Sequence, residues 1–327
     1  MSEKNIQQDR PAFHGSDIEQ IEQYYKIPAE SIIKFGANVN PLGLSATLKK
    51  DLAEHLDVIT SYPDRDYKEL RSAIADYCGV KMEHVVTGNG STELISLLIS
   101  ERNARHAMVI GPTYSEYERE LSLTGGHISE YNLSEEHDFH LDIDDFAKAL
   151  ADDVDFVILC NPNNPTGIVY NKEFTENVLK KCIETDTYLV IDECFNNFLE
   201  NGEEVSLINK IEKYKKLVIL KAFTKMYAMA GIRLGYIICS CKEFHKKIKA
   251  CIQPWSVSVT AQMAGCAALR EKNWEEKTRE YVKKEKKFLL ENMEKLGVKI
   301  FGSEANYIFF KEEKDFDKKM LEKGFLI

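Results

Sequence analysis

Five short runs between residues 106 and 240 are apolar almost without a break: HAMVI (106–110), DFVILC (155–160), YLVID (188–192), KLVIL (216–220) and LGYIICS (234–240). Strands covered on both faces have this character, whereas a strand with one wet face alternates. The stretches between the runs carry helical spacing, as in KEFTENVLKKCIET (172–185). Strand and helix alternating from about residue 84 predict a mostly parallel sheet flanked by helices. Ahead of the first run, VVTGNGSTELISLLIS (85–100) has the pattern of strand, glycine turn and amphipathic helix. From about residue 255 the helical period continues to about Leu296, then yields to strand-like VKIF (298–301) and ANYIFF (305–310) and a further helix start. An α/β architecture follows, with a large domain over residues 46–250. A smaller α+β domain is expected from an N-terminal arm (1–45) and a C-terminal segment (251–327).

Composition narrows the class. The 327 residues are 44% hydrophobic, enough for a large and a small folded domain rather than a disordered chain. The net charge of −10 is spread among interspersed cations, which argues against a nucleic-acid partner, since phosphate backbones demand a basic face. The lysine-rich YVKKEKKFLLENMEKLG (281–297) predicts a solvated amphipathic helix rather than a binding patch. No apolar run has the length of a membrane span, and the polar start MSEKNIQQDR does not have the pattern of a signal peptide. The eight cysteines show no regular framework, and Cys239 and Cys241 form a lone C-x-C without a second pair. Reduced thiols in a cytoplasmic protein, without a metal site, are the expectation.

The candidate chemistry lies where the apolar runs end. In open α/β sheets ligands bind beyond the carboxyl ends of the strands, and the residues there are GPTY, NPNNPTG, Asp192-Glu193 and AFTK. Asp192 closes an apolar run, and a buried carboxylate needs a cation or hydrogen-bond donors; a helix cap or salt bridge would also serve. The prolines and glycine of NPNNPTG stiffen a turn that aims Asn164 out of a strand end. Gly90, Ser91 and Thr92 open a helix whose free N–H groups form a natural anion cradle, though a glycine turn before a capped helix is common. Lys225 and Arg233 sit in KAFTKMYAMAGIRLGY, a segment otherwise small and apolar.

Taken together these groups meet the needs of pyridoxal 5′-phosphate. A lysine, Lys225, forms a Schiff base with the aldehyde. A carboxylate, Asp192, keeps the pyridine nitrogen protonated so that the ring withdraws electrons. Asn164 donates to the ring oxygen, and Thr224, Arg233 and the Gly90–Thr92 amides hold the phosphate. Tyr114 is placed to stack on the ring, with a core aromatic as the other reading.

The order NPNNPTG, IDE-x-F and T-K-x-Y-A-x-x-G-x-R-L-G-Y resembles the fold-type I aminotransferase superfamily, in the histidinol-phosphate aminotransferase branch, over essentially the whole chain. The start HGSDIEQI followed by ANVNPLG, the SYPD and PWSV segments and FTKMYA is similar to the threonine-phosphate decarboxylase family of cobalamin biosynthesis. Ala222 stands where aminotransferases usually carry a phosphate-binding hydroxyl, and Phe195 where they usually carry a tyrosine; both lean toward the decarboxylases. The resemblance implies substrate contacts for His14, Gly15, Asn38 and Asn164. It further implies that Tyr62 reaches the cofactor phosphate of a neighbouring subunit, hence a homodimer with shared sites. The expected reaction is decarboxylation of the small phosphorylated amino acid L-threonine O-3-phosphate through an adduct on Lys225. The alternatives are an aminotransferase for histidinol phosphate or an aromatic amino acid, and a non-catalytic cofactor-binding relative. The family continues past the segment EKGFLI with two arginines that hold substrate carboxylate and phosphate; the sequence ends at Ile327, so the small domain is expected to lack its closing segment.

Overall fold

The computed structural model describes residues 17–102, 105–150, 153–271 and 273–327. The strands are β1 Ile33–Lys34, β2 Val85–Gly88, β3 His106–Gly111, β4 His127–Asn132, β5 Phe156–Cys160, β6 Tyr188–Asp192, β7 Leu217–Ala222, β8 Gly235–Ile238, β9 Lys299–Gly302, β10 Phe309–Lys311 and β11 Phe325–Leu326. The helices are α1 Ile18–Tyr25, α2 Ala46–Glu54, α3 Lys68–Cys78, α4 Gly90–Arg102, α5 Glu116–Ser122, α6 Ile143–Ala149, α7 Lys172–Glu184, α8 Gly202–Val205, α9 Lys242–Cys251, α10 Val259–Arg270, α11 Asn273–Lys295 and α12 Phe316–Glu322.

Seven strands form the central sheet in the order β2-β8-β7-β6-β5-β3-β4. Strands β7, β6, β5, β3 and β4 run parallel, and β8 is antiparallel to both of its neighbours. All five residues of β5 and of β6 are buried, as their unbroken apolar runs require. The two-residue period of a strand sends alternate side chains to opposite layers. Val157, Leu159, Leu189, Ile191, Leu217 and Ile219 join one core, with Val178, Leu179 and Cys182 of α7. Phe156, Ile158, Val190, Val218 and Leu220 join the other, with Leu94, Ile95, Leu98 and Ile99 of α4 and Tyr117 of α5. Burying each such side chain contributes about 1.5–3 kcal/mol, so these layers hold the strand ends rigidly.

Side-chain caps fix the helix starts: Asn171 accepts from the Phe174 N–H before α7, and Ser258 from the Ala261 N–H before α10. The helix predicted over 281–297 is the second half of α11, in which only Thr278 and Val282 are buried. The strand expected over 305–310 begins only at Phe309, and β10 pairs antiparallel with β9.

The chain separates into two compact units, Val39–Lys311 and Met1–Asn38 with Glu312–Ile327; the sequence pattern had placed the borders near residues 45 and 250. The described part of the smaller unit has its own core of Ile21, Ile32, Leu321 and Leu326, closed by Ile18, Tyr25 and Ile27. Its two strands, β1 and β11, pair in parallel.

Candidate active site

Asp192 is the last residue of β6 and is 4% exposed. Its carboxylate accepts the Tyr117 hydroxyl at 2.6 Å on one oxygen and the Cys194 N–H at 2.8 Å on the other. Burial, reinforced by the charge of Asp192, pushes the Tyr117 phenol well above its ordinary range, so it keeps its proton and its donor role. Glu193 turns the other way. It accepts from Ser206 at 2.7 and 2.9 Å and pairs with the buried Lys221 at 3.2 Å, a satisfied ion pair that serves the core.

Lys225 lies in the turn that follows β7, half-buried, with Thr224 half-buried before it. Its Nζ stands 5.3 Å from the centre of the Phe195 ring. Burial above all lowers its pKa, and the Arg233 charge adds to this against the opposing pull of Cys194 and Asp192. A lysine so placed holds a larger neutral, nucleophilic fraction than an exposed one.

Arg233 precedes β8 with φ +61° and donates to the Ala230 carbonyl at 3.3 Å. Its guanidinium crosses the start of α4: a Cβ at Gly90 (φ +76°) would lie 2.4 Å from Arg233 Nη2. A Cβ at Gly235 would lie 2.7 Å from the Gly90 carbonyl carbon and the Ser91 nitrogen. Two glycines thus hold open a cradle where the first N–H groups of a 13-residue helix meet a guanidinium. Ser91 and Thr92 are half-buried in that first turn, and Thr92 shares a hydrogen bond with Tyr114. Tyr114 follows β3, packs edge-on to Tyr117 with centroids 5.5 Å apart, and is pushed up to about 12, first by burial and then by Glu116 and Asp192.

The NPNNPTG loop is braced through Asn163. Its Nδ2 donates to the Pro112 carbonyl and Thr166 hydroxyl, both at 2.9 Å, and its Oδ1 accepts from Thr113 at 3.0 Å. Tyr307 donates to the Asn163 carbonyl at 2.8 Å, while Asn164 itself remains half-buried.

The fold therefore gathers Asp192, Lys225, Arg233, Gly90, Ser91, Thr92 and Tyr114 at the carboxyl end of the sheet's parallel strands. Tyr62 is 81% exposed, its ring tilted against Trp255 with centroids 4.9 Å apart. Asn38 falls in the smaller unit, half-buried with φ +50°. His14 and Gly15 lie outside the described residues. Sequence patterning did not single out Tyr117 or Cys194 as partners of Asp192.

The family model for class I and II aminotransferases matches residues 30–327. The chain belongs to that family. It is 31% identical over 318 residues to a threonine-phosphate decarboxylase of Salmonella typhimurium, covering 96% of this chain and 86% of the relative. It is 29% identical to a histidinol-phosphate aminotransferase of Caldicellulosiruptor saccharolyticus, covering 97% and 88%. Among solved structures, a histidinol-phosphate aminotransferase from Clostridium acetobutylicum superposes with a TM-score of 0.81 at 33% identity, covering 88% of this chain and 86% of that one. The fold is that of the fold-type I pyridoxal-phosphate enzymes.

A class I and II family member of this kind is an enzyme dependent on pyridoxal 5′-phosphate. The residues present fit that group. The glycine-lined cradle at α4 suits a phosphate, a buried carboxylate with two donors suits a ring nitrogen, and a half-buried lysine with a lowered pKa suits an aldehyde. No described helix is long and apolar enough to cross a membrane.

Proposed function

We propose that the protein decarboxylates L-threonine O-3-phosphate to (R)-1-amino-2-propanol O-2-phosphate, with Lys225 as the residue that carries the cofactor. The observation that carries this reading is Phe195 beside the Lys225 amine. An apolar ring takes the place where the aminotransferases present a tyrosine hydroxyl, so the lysine works in a drier setting with one donor fewer. The 31% identity to a decarboxylase over nearly the whole chain supports it.

The bound cofactor supplies an electron-withdrawing ring that accepts the electron pair of the bond being broken. In this reading Asp192, held by Tyr117 and Cys194, maintains the positive charge on the ring nitrogen. Arg233 and the α4 N–H groups fix the phosphate, and Asn164 donates to the ring oxygen. The Cα–carboxylate bond would break and carbon dioxide would leave. Lys225 would deliver one proton to that carbon and regain it from solvent, so the reaction consumes one proton for each carbon dioxide released. Tyr62, exposed in one chain, serves the neighbouring subunit of a homodimer in this reading.

The test is product analysis with the cofactor-loaded protein. Release of carbon dioxide and appearance of aminopropanol phosphate from phosphothreonine, without 2-oxoglutarate, is the expected result. Transfer of the amino group of histidinol phosphate to 2-oxoglutarate, with no carbon dioxide from phosphothreonine, would replace this reading by the aminotransferase one.

A further inference from the structure

Asn40 is 3% exposed, and every polar atom it carries is engaged. Its backbone N–H donates to the Lys225 carbonyl at 3.0 Å, and its own carbonyl accepts the Gly43 N–H at 3.0 Å. The side-chain Nδ2 donates to the Met226 carbonyl at 2.7 Å and to Thr278 Oγ1 at 2.8 Å. Oδ1 accepts the Leu42 N–H at 2.9 Å. Two consecutive carbonyls of the turn that bears Lys225 are therefore bonded to one buried residue 186 positions away from Met226. Thr278, which receives the second Nδ2 bond, is fully buried in α11. Within the turn the Ala228 N–H reaches the Lys225 carbonyl only at 3.3 Å.

Burying an amide yields little net stability, about 0.5–1.5 kcal/mol per hydrogen bond made. What five well-formed bonds do fix is geometry. A turn flanked by β7 and the long return to β8 could settle in several backbone conformations; Asn40 selects one.

We infer that Asn40, braced by Thr278, is a positioning residue that fixes the backbone of the Lys225 turn and so sets where the lysine amine stands. The inference rests on Lys225 being the residue that carries the cofactor. Loosening the turn lets the amine move away from its buried seat beside Phe195, Cys194, Asp192 and Arg233, toward solvent. The nitrogen then becomes more basic, as burial is the main cause that holds it down.

The experiment is the pH dependence of the rate at which the full chain, freed of cofactor, forms the visible Schiff-base band when pyridoxal 5′-phosphate is added, a rate that follows the neutral fraction of the lysine amine, in wild type, Asn40→Ala, Thr278→Val and Thr278→Ser. The midpoint rises by about 0.5–1 pH unit in Asn40→Ala and by less in Thr278→Val, a shift of one unit being a tenfold change in proton affinity. Thr278→Ser keeps the hydroxyl and returns the wild-type midpoint. A midpoint unchanged in Asn40→Ala, with only a lower thermal transition, overturns the inference. Should Asn40→Ala fail to fold, the Thr278 pair decides: a rise in Val but not in Ser supports it, and wild-type midpoints in both overturn it. Failure of the underlying reading is separately visible, because Lys225→Ala would then retain a chromophore that borohydride fixes to the protein.

Discussion

At Gly90 the chain has no room for a side chain, and the reason is the adjacent Arg233. A Cβ 2.4 Å from the guanidinium, on a backbone with φ +76°, must displace the arginine or the first turn of α4. Gly90→Ala should therefore weaken cofactor binding about tenfold or more while the sheet still folds. An equilibrium titration with pyridoxal 5′-phosphate measures this, and unchanged affinity would remove Arg233 and the α4 start from the phosphate site. A charge-assisted hydrogen bond of roughly 1.5–3 kcal/mol sets the size expected. Lys225, Asp192 and Arg233 were legible in the sequence because each breaks an apolar or small-residue pattern at a strand end. Tyr117 was not: its aromatic body obeys the helix pattern of α5, and only the tertiary fold brings its hydroxyl to Asp192.

Among the elements, β3, β5, β6 and β7 could be read directly, since burial on both faces leaves an unbroken apolar run. The edge strand β4, HISEYN, escaped notice because its burial is partial and its residues are mostly polar. The antiparallel direction of β8 was also hidden: the twelve residues from Phe223 to Leu234 are long enough to return the chain either way. The start of α9 carries a pH response of its own. His245 Nε2 lies 2.8 Å from the Cys239 carbonyl, and burial, with His84, Lys249 and Arg71 adding, depresses its pKa from 6.5 to about 4. The unfolded chain thus binds the proton more tightly, so stability is complete above about pH 6.5 and is lost as pH falls toward about 4. The loss is at most about 3.5 kcal/mol, since each pKa unit corresponds to about 1.4 kcal/mol. Urea denaturation at several pH values should show this slope, and His245→Gln should flatten it; an identical slope in the variant would assign the effect to other groups.

For the whole molecule, family membership and the strand-end site agree on cofactor and fold, whereas the similar relatives include both a decarboxylase and an aminotransferase. Tyr62, 81% exposed, packs at a tilt against Trp255, and Arg65 lies 4.1 Å above the same indole. Such an exposed aromatic pair is costly to leave in water and typical of an interface centre. The proposed homodimer predicts a sedimentation mass of two chains with the cofactor bound, and a lower cofactor affinity in Tyr62→Ala. A monomer that retains the cofactor fully would contradict it.

The most direct test of the account locates the cofactor on the chain. The loaded protein is reduced with borohydride and digested, and the peptide carrying the pyridoxyl group is identified by mass. The account predicts a single labelled residue, Lys225, in the turn between β7 and β8. Label on another lysine, or none after loading, would contradict it.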